Sequence, residues 1–396
     1  MSAIVTNARN RIAYNVVRSL GRRSIEVHCG DPAPMAMSAF SRYSRGSFVY
    51  PSPYSDPEGF VRVLLDRAAR LGARVLIPVH EETFLVARHL DQFAPVVSTV
   101  VPAYDLILLA HNKDRWTALA GELGIPVPAT HAIDDLRRGK APLDGLRFPV
   151  LIKPKQGGGG WGIREFGSPD SLGIFLEQET CDGLPWDRFL VQEKIDGPTD
   201  CVAMLLSHGR LRGKVVYRQL RDFPAGGGQA TLRVSLRNPQ AERHLQALLE
   251  KLRWHGVCQA DFVVDRLTGI PHLVDLNPRL WGSLVQAIAC GVDVPHLLYR
   301  IALEGDVEPV TDFRTGVVTR WLGGDLRAFL PHLRRSPRRI RFVRDYLFPA
   351  HRAVLHDDFS LADPLPFFAW GMAVLHRKLR GGGGQSREES LAGVWE

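Results

Sequence analysis

Residues 271–283, which read PHLVDLNPRLWGS, decide the expected fold of this chain. Residues two apart on an extended strand face the same side, so Asp275 and Asn277 can point into one site. Asp261 lies on an earlier apolar strand, and the segment DRLTG at 265–269 supplies the turn that a hairpin needs. Three oxygen donors on paired strands suit Mg²⁺. The alternative is that Asp275 and Asn277 merely end a strand and cap the next helix, although carboxylates among apolar neighbours are costly to bury unpaired.

Residues 148–162, which read FPVLIKPKQGGGGWG, give a second signal. The apolar strand delivers Lys153, and the glycines at 157–160 form a loop that can bring backbone N–H groups close to phosphate oxygens. A P-loop carries its lysine after the glycines, and the reversed order here excludes that motif. The alternative is a plain glycine turn between two strands with an exposed lysine.

The two segments, together with HNKDRWTALAGELGIPVP at 111–128, resemble the ATP-grasp superfamily over roughly residues 105–306. The motif DLNPRLWGS at 275–283 is most similar to the carbamoyl-phosphate-synthase-like branch of that superfamily. Only eight of the 50 basic residues are lysine, and Lys113 and Lys153 fall within these segments. Lys194 falls within LVQEKI at 190–195, which resembles the interlobe linker of the superfamily. Because lysine is scarce in this chain, their coincidence strengthens the resemblance.

The resemblance implies a role for each matching position. Two lysines and a glycine loop contact ATP phosphates, an interlobe linker reads adenine, an acid binds the ribose, two acids and an amide bind the metal, and an arginine holds the acyl group. These positions are Lys113, Lys153, Gly157, Gly158, Gly159, Gly160, Glu193, Lys194, Ile195 and Asp200 for the nucleotide; Asp261, Asp275 and Asn277 for the metal; and Arg279 and Lys153 for catalysis. Asp replaces the usual Glu at 200 and 275, which shortens each reach by one methylene.

The expected fold class is α/β and α+β. Short apolar strands near 3–5, 24–28 and 74–78 alternate with helical segments at 10–20, 60–71 and 82–93, which favours a parallel, doubly wound sheet. The turn after the first strand reads TNARN and lacks the glycine fingerprint of dinucleotide-binding domains, so we expect a domain that is Rossmann-like in shape only. The expected units are a Rossmann-like pre-ATP-grasp domain (1–105), an ATP-grasp small lobe (106–190), a large lobe with the metal site (191–306) and an Arg-rich helical extension with a flexible tail (307–396).

Composition limits the partners. A hydrophobic content of 45% excludes a disordered chain, and the net charge of +8 suits a nucleic acid, an anionic membrane surface or a phosphate-rich ligand. No nucleic-acid-reading module is recognisable, so no nucleic-acid partner is expected. The start of the sequence lacks the apolar core of a signal peptide, which favours a cytoplasmic protein. A homodimer is the default assembly.

The C-terminal region combines an arginine run with an apolar stretch, LPFFAW at 365–370. A basic patch beside an amphipathic helix is typical of peripheral contact with anionic lipid. The alternative is a solvated basic face beside a helix packed on the core. The run comprises Arg334, Arg335, Arg338, Arg339, Arg341 and Arg344.

Two weaker segments each allow two interpretations. The loop RDFPAGGGQ at 221–229 either places Arg218 or Arg221 near the γ-phosphate or forms a hairpin with solvated arginines. The segment His80-Glu81-Glu82 follows a strand end, where α/β folds bind ligands, although two acids at a helix start more often cap the helix.

The function implied by the resemblance is an ATP- and Mg²⁺-dependent ligase, with Mn²⁺ as an alternative metal, that activates a small-molecule carboxylate as an acyl phosphate for attack by an amine. An enzyme that forms carboxyphosphate, of the carbamoyl-phosphate type, is the second reading. A non-catalytic, ATP-binding peripheral membrane protein is the third, and the complete set of metal positions argues against it.

Overall fold

A parallel four-stranded sheet opens the chain in the computed structural model, which describes residues 2–137, 145–156, 162–177, 186–224, 227–347 and 355–379. The strand order is β3-β2-β1-β4, and helices cover the sheet. The elements are β1 (Ser2–Val5), α1 (Arg11–Gly21), β2 (Glu26–Asp31), β3 (Ser44–Val49), α2 (Pro57–Leu71), β4 (Val75–Ile77), α3 (Glu82–Arg88) and α4 (Leu90–Phe93). The parallel sheet confirms the doubly wound expectation for this region.

Two details of this first domain differ from the expectation. Strand β3 was not expected, because its sequence SRGSFV is mostly small or polar and only Phe48 is buried. Such a strand is stable at the edge of the sheet, where it pairs with β2 along one side and needs few buried side chains. The helix expected over 82–93 is two short helices, because His89 leaves the helical region with φ −111° and ψ 28°.

The second unit is an antiparallel sheet of order β5-β8-β6-β7 with helices around it. Asn112 caps its second helix, since the side-chain oxygen accepts hydrogen bonds from the backbone N–H groups of Asp114 and Arg115. The elements are α5 (Tyr104–His111), α6 (Lys113–Glu122), β5 (Thr130–Ala132), α7 (Ile133–Arg137), β6 (Val150–Pro154), β7 (Arg164–Phe166), α8 (Pro169–Glu177) and β8 (Phe189–Glu193).

The third unit is a seven-stranded sheet of order β13-β12-β9-β10-β11-β14-β15. The expected strand pair around Asp261 and Asp275 is present as the antiparallel hairpin of β12 and β13. The elements up to residue 304 are β9 (Thr199–Ser207), β10 (Arg210–Phe223), β11 (Gln229–Ser235), α9 (Pro239–Lys251), β12 (Gly256–Val264), β13 (Pro271–Asn277), α10 (Leu284–Cys290) and α11 (Val294–Glu304).

The region after residue 306 is not purely helical, because two of its strands complete the large sheet. Strand β14 pairs with β11, and β15 pairs with β14. The elements are β14 (Val318–Arg320), α12 (Leu322–Arg335), α13 (Arg339–Leu347), β15 (Leu355–His356) and α14 (Leu365–Leu379). Within the described residues, every helix is too short or too polar to cross a membrane.

Residues 355–363, which we call the strap, tie this last region to the first domain. The Asn15 side chain donates to the backbone carbonyl of Asp357 at 2.8 Å, and the hydroxyl of Tyr14 donates to that of Asp363 at 3.0 Å. The Asp363 carboxylate also accepts hydrogen bonds from the Ser41 hydroxyl and the Arg42 backbone. The first domain and the large lobe also share one buried apolar cluster, so the end of β4 lies firmly against the large lobe.

The linker at 194–198 joins the two lobes and contains Gly197, which we expect not to tolerate a larger side chain. A Cβ atom added at Gly197 would lie 1.8 Å from the backbone carbonyl oxygen of Val264, so Gly197→Ala must displace the backbone. We expect this variant to lose about 1–3 kcal/mol of unfolding free energy, measured by chemical denaturation. Gly167→Ala is the matched control, because its added Cβ meets nothing within 4 Å. Equal stability of the two variants would contradict the expectation.

Candidate active site

The hairpin of β12 and β13 brings the expected metal-binding residues together. Asp261 lies directly opposite Asp275, and Gln259 lies opposite Asn277. The Gln259 amide links both pairs: its nitrogen donates to Asp261 Oδ1 at 2.6 Å, and its oxygen accepts from Asn277 Nδ2 at 3.0 Å. Sequence analysis missed Gln259, although its position two residues before Asp261 places it on the same strand face.

The electrostatics of this pair fit a divalent cation. Burial, followed by the negative charge of Asp275, raises the pKa of Asp261 to about 6. Two facing carboxylates with an adjacent amide form a donor set of hard oxygens, which Mg²⁺ prefers. In the described parts of the chain, no group of three His, Cys, Asp or Glu side chains could hold a metal ion. A metal bound between Asp261 and Asp275 would therefore take the amide oxygen of Asn277 as its third protein ligand.

Two lysines from the small lobe converge on the same carboxylates. Lys113 Nζ lies 3.1 Å from Asp275 Oδ1, and Lys153 Nζ donates to the backbone carbonyl of Val274 at 3.3 Å. Both lysines are almost fully buried. Burial, followed by repulsion from Lys113, lowers the pKa of Lys153 to about 7, and Asp275 opposes this shift. The two buried lysines can bind an anion such as a phosphate chain, and the two acids beside them can bind a metal ion that accompanies it.

Arg279 marks the side of the site that faces the first domain. The structure shows a hydrogen bond at 3.4 Å from its guanidinium to the carbonyl of Leu280, and no carboxylate of the described residues lies within 4.0 Å of it. His80 follows β4 and has a positive φ of 66°. Burial lowers the pKa of His80 well below its usual value, and the charges of Arg279 and Arg11 lower it further. Arg279 is thus a partly buried cation without an acidic partner among the described residues.

Known proteins resemble this chain both in sequence and in fold. A family model described as "ATP-grasp in the biosynthetic pathway with Ter operon" matches residues 186–324. The N-terminal section of the carbamoyl phosphate synthase large chain from Methanopyrus kandleri is 22% identical over 274 residues, which are 66% of this chain and 46% of that protein. The chain thus spans less than half of that relative's length.

Solved structures show the same fold. The biotin carboxylase domain of 2-oxoglutarate carboxylase from Hydrogenobacter thermophilus, described as a dimer with MgADP, ADP and bicarbonate, superposes with a TM-score of 0.63 at 17% identity. The alignment covers 80% of this chain and 73% of that one. The L-amino acid ligase from Bacillus licheniformis gives a TM-score of 0.58 at 14% identity, covering 78% and 77%. This chain has the ATP-grasp fold.

The linker that the resemblance assigns to adenine follows β8 and runs between the four-stranded antiparallel sheet and the seven-stranded sheet. Glu193 ends β8, and its carboxylate accepts the backbone N–H of Arg147 and pairs with the Arg147 guanidinium at 3.0 Å. The Lys194 backbone donates to the carbonyl of Pro149, and its ammonium pairs with Glu165 at 2.6 Å. Ile195 is partly buried beside them. The side chains of Glu193 and Lys194 thus hold the linker against the small lobe. Gly157, Gly158, Gly159 and Gly160 lie outside the described residues.

Asp200 does not join the cluster. The Arg218 guanidinium donates to both carboxylate oxygens of Asp200, at 2.7 and 3.0 Å, and Asn238 donates to one of them. The neighbouring Cys201 points at Asp261, with its Sγ 2.9 Å from Oδ1, so Asp200 faces the opposite side of the sheet. The geometry therefore gives this fully buried carboxylate a structural role in place of the ribose contact that the resemblance implied.

The two weaker segments also have an outcome. Arg218 pairs with Asp200, and Arg221 pairs with the buried Asp325 at 2.9 Å, so neither arginine is brought to the lysines, and Arg221 is not solvated. The capping interpretation of Glu81 and Glu82 is wrong. Glu82 accepts hydrogen bonds from the hydroxyls of Thr6 and Tyr50, and the Glu81 side chain makes no capping hydrogen bond.

Proposed function

We propose that this protein is an ADP-forming ligase that activates a carboxylate as an acyl phosphate for attack by an amine. The observation that carries the proposal is the convergence of Lys113, Lys153 and the facing carboxylates Asp261 and Asp275 beside Arg279, which has no acidic partner among the described residues. This combination suits a transferred phosphoryl group next to a bound acid. The two lysines lie on α6 and β6, and the two carboxylates lie on β12 and β13. Local strand ends, turns or helix caps would not by themselves bring these distant elements together.

The chemistry follows from the charges. A carboxylate resists attack by an amine in water, because its oxygens are anionic and neither can leave. Attack of a carboxylate oxygen on the γ-phosphorus forms the acyl phosphate and breaks the bond to the β-phosphate, which releases ADP. The amine nitrogen then attacks the acyl carbon, inorganic phosphate leaves and the nitrogen loses a proton.

The residues of the chain act at defined points of this reaction. Lys113 and Lys153 spread the charge of the phosphoryl group as it moves. The guanidinium of Arg279 offers two parallel donors to the acyl oxygens. Asp261, Asp275 and Asn277 would hold Mg²⁺, which when bound neutralises phosphate charge. Burial of both lysines keeps these interactions in a medium of low dielectric constant, where they are stronger than in water.

Trapping with hydroxylamine tests the proposal. The protein is incubated with Mg²⁺, ATP and pooled organic acids, and hydroxylamine converts any acyl phosphate into a stable hydroxamate. We expect ADP release and a hydroxamate that identifies the acid. Asp275→Ala should produce neither. Tight ATP binding without turnover in any pool would favour the non-catalytic reading.

A second candidate is the formation of carboxyphosphate from bicarbonate. It is favoured by the likeness to a carbamoyl phosphate synthase section and to a biotin carboxylase domain solved in complex with bicarbonate. Both reactions place the anion at the same arginine and the same phosphoryl site. Bicarbonate-stimulated ADP release that no organic acid reproduces would support this candidate over the first.

Metal binding is expected to weaken as the pH falls below about 6. A proton and the metal compete for the Asp261 carboxylate, whose pKa is raised to about 6 by burial and by Asp275. We expect the affinity for Mg²⁺–ADP to drop by about tenfold per pH unit below that value and to level off above it, measured by calorimetry. Asp261→Asn removes this competition and serves as a control for protonation of ADP itself. A pH profile identical in both proteins would contradict the assignment.

The peripheral-membrane contact, the homodimer and the cytoplasmic location stay predictions. One face of α14 presents exposed apolar side chains, and Arg338, Arg339 and Arg341 are exposed on or beside α13. These surfaces are consistent with contact to an anionic bilayer. The apolar side chains of that helix face are Leu365, Phe368, Met372 and Leu375.

A further inference from the structure

His111, the last residue of α5, carries a buried nitrogen without a partner. Its Nε2 is shielded from solvent and has no hydrogen-bond partner in the part of the chain that the structure describes. The ring packs edge-on against Phe84, with ring centroids 5.0 Å apart and planes at 86°. Buried polar side-chain atoms in folded proteins nearly always have a partner. Other buried side-chain atoms of the described residues also lack a partner, so what His111 could bind depends on the groups around its ring.

The surroundings of the ring indicate what the imidazole could bind. His111 lies close enough to Lys113, Arg279 and Asp275 for all three charges to act on it. Burial, followed by the charges of Lys113 and Arg279, lowers the pKa of His111 to about 4, while Asp275 opposes the shift. The imidazole is therefore neutral near pH 7 and donates one N–H. It lies among the phosphate-binding lysine, the acyl-binding arginine and a metal-binding acid.

We propose that the Nε2–H of His111 donates a hydrogen bond to the γ-phosphoryl group of ATP as that group passes to the acid substrate. This inference rests on the proposed function, because it places a phosphoryl group between Lys113 and Arg279. The contact satisfies the orphaned nitrogen without adding another buried charge to a site that already holds two lysines. It assigns a catalytic residue that the sequence motif did not indicate.

Two nucleotides test the contact without knowledge of the acid. ADP lacks the γ-phosphate, and β,γ-imido-ATP carries it but is not cleaved. His111→Phe keeps an aromatic ring against Phe84 and removes the donor. We expect it to bind β,γ-imido-ATP with Mg²⁺ about tenfold or more weakly, since hydrogen bonds to charged groups are strong, and to bind ADP as the wild type does. His111→Gln supplies an amide N–H and should recover part of the loss.

The matched control is His244→Phe. The Nε2 of His244 is also buried without a partner, but this residue lies on α9, away from the converging lysines. It should bind both nucleotides as the wild type does. Circular dichroism melting confirms that each variant is folded.

The possible outcomes distinguish failure of the His111 contact from failure of the proposed ligase function. Equal weakening of both nucleotides by His111→Phe, or no change in either, overturns the His111 contact and leaves the ligase proposal standing. Selective weakening of β,γ-imido-ATP without any hydroxamate in the trapping experiment supports the contact and overturns carboxylate ligation. A wild-type protein that binds neither nucleotide overturns both.

Discussion

Replacement of Lys153 by methionine is expected to lower kcat/KM for ATP-dependent acyl-phosphate formation by about 10²–10³-fold. Methionine has nearly the length of the lysine chain and no charge, so the variant removes the cation and keeps the packing. Lys153 lies next to Lys113 and Asp275, where the proposed reaction would develop charge on the transferred phosphoryl group. The measurement is the initial rate of hydroxamate or ADP formation.

The same variant should be at least as stable as the wild type. Burial holds the pKa of Lys153 near 7 in the folded state against an ordinary value of 10.5, so below pH 7 the folded chain carries a proton that it binds less favourably than the unfolded chain. The cost is greatest below pH 7, falls as the pH rises from 7 to 10.5 and disappears above that range. The stability gain of Lys153→Met should follow this course.

The control is Lys251→Met, which changes an exposed lysine at the end of α9. Its rate and its unfolding free energy should match those of the wild type. Activity of Lys153→Met within twofold of the wild type would show that the phosphoryl group is bound elsewhere.

Replacement of Asp357 by alanine is expected to cost about 3–5 kcal/mol of unfolding free energy. Asp357 is completely buried, and its carboxylate pairs with the completely buried guanidinium of Arg233 and with Arg11 of the first domain. Removing the acid leaves a buried arginine without its counter-ion, which is far costlier than losing a surface ion pair. The measurement is the shift of the urea midpoint together with the melting temperature.

Asp312→Ala provides the comparison. Asp312 also pairs with an arginine, Arg237, but its side chain is 98% exposed. Solvent screens such a pair, so the variant should lose no more than about 1 kcal/mol. Similar losses in the two variants would show that burial does not set the strength of these pairs.

Local patterns in the sequence predict the hairpin of β12 and β13 and the strand that carries Lys153. Alternation along β13 places Asp275 and Asn277 on one face, and a short turn brings β12 beside it. The strand before Lys153 is apolar enough to be recognised by itself. These features depend on residues close in sequence, where alternation and turn chemistry are decisive.

Contacts between distant segments could not be predicted in this way. The meeting of Lys113 with Asp275 depends on how the small lobe sits on the large one. The face of the sheet on which the Asp200 side chain lies depends on the pairing register of β9 with β12, and a shift of one residue would move it to the other face. The orphaned nitrogen of His111 has no periodic signal, since the residue ends a helix whose other side chains pack conventionally. The resemblance to the superfamily implied a ribose contact for Asp200, but its side chain lies on the face of the sheet opposite to Asp261.

The strap has a consequence for how the chain is made. Ser41 leaves the ribosome 322 residues before Asp363, the acid to which its hydroxyl donates. At ordinary rates of synthesis, of about 5–20 residues per second, the first domain waits roughly 15–60 s for this partner. During that interval the surface around Tyr14 and Ser41 is uncovered. A chain without the strap would leave it uncovered permanently, because Tyr14, Asn15 and Ser41 would lack the hydrogen-bond acceptors that residues 355–363 supply.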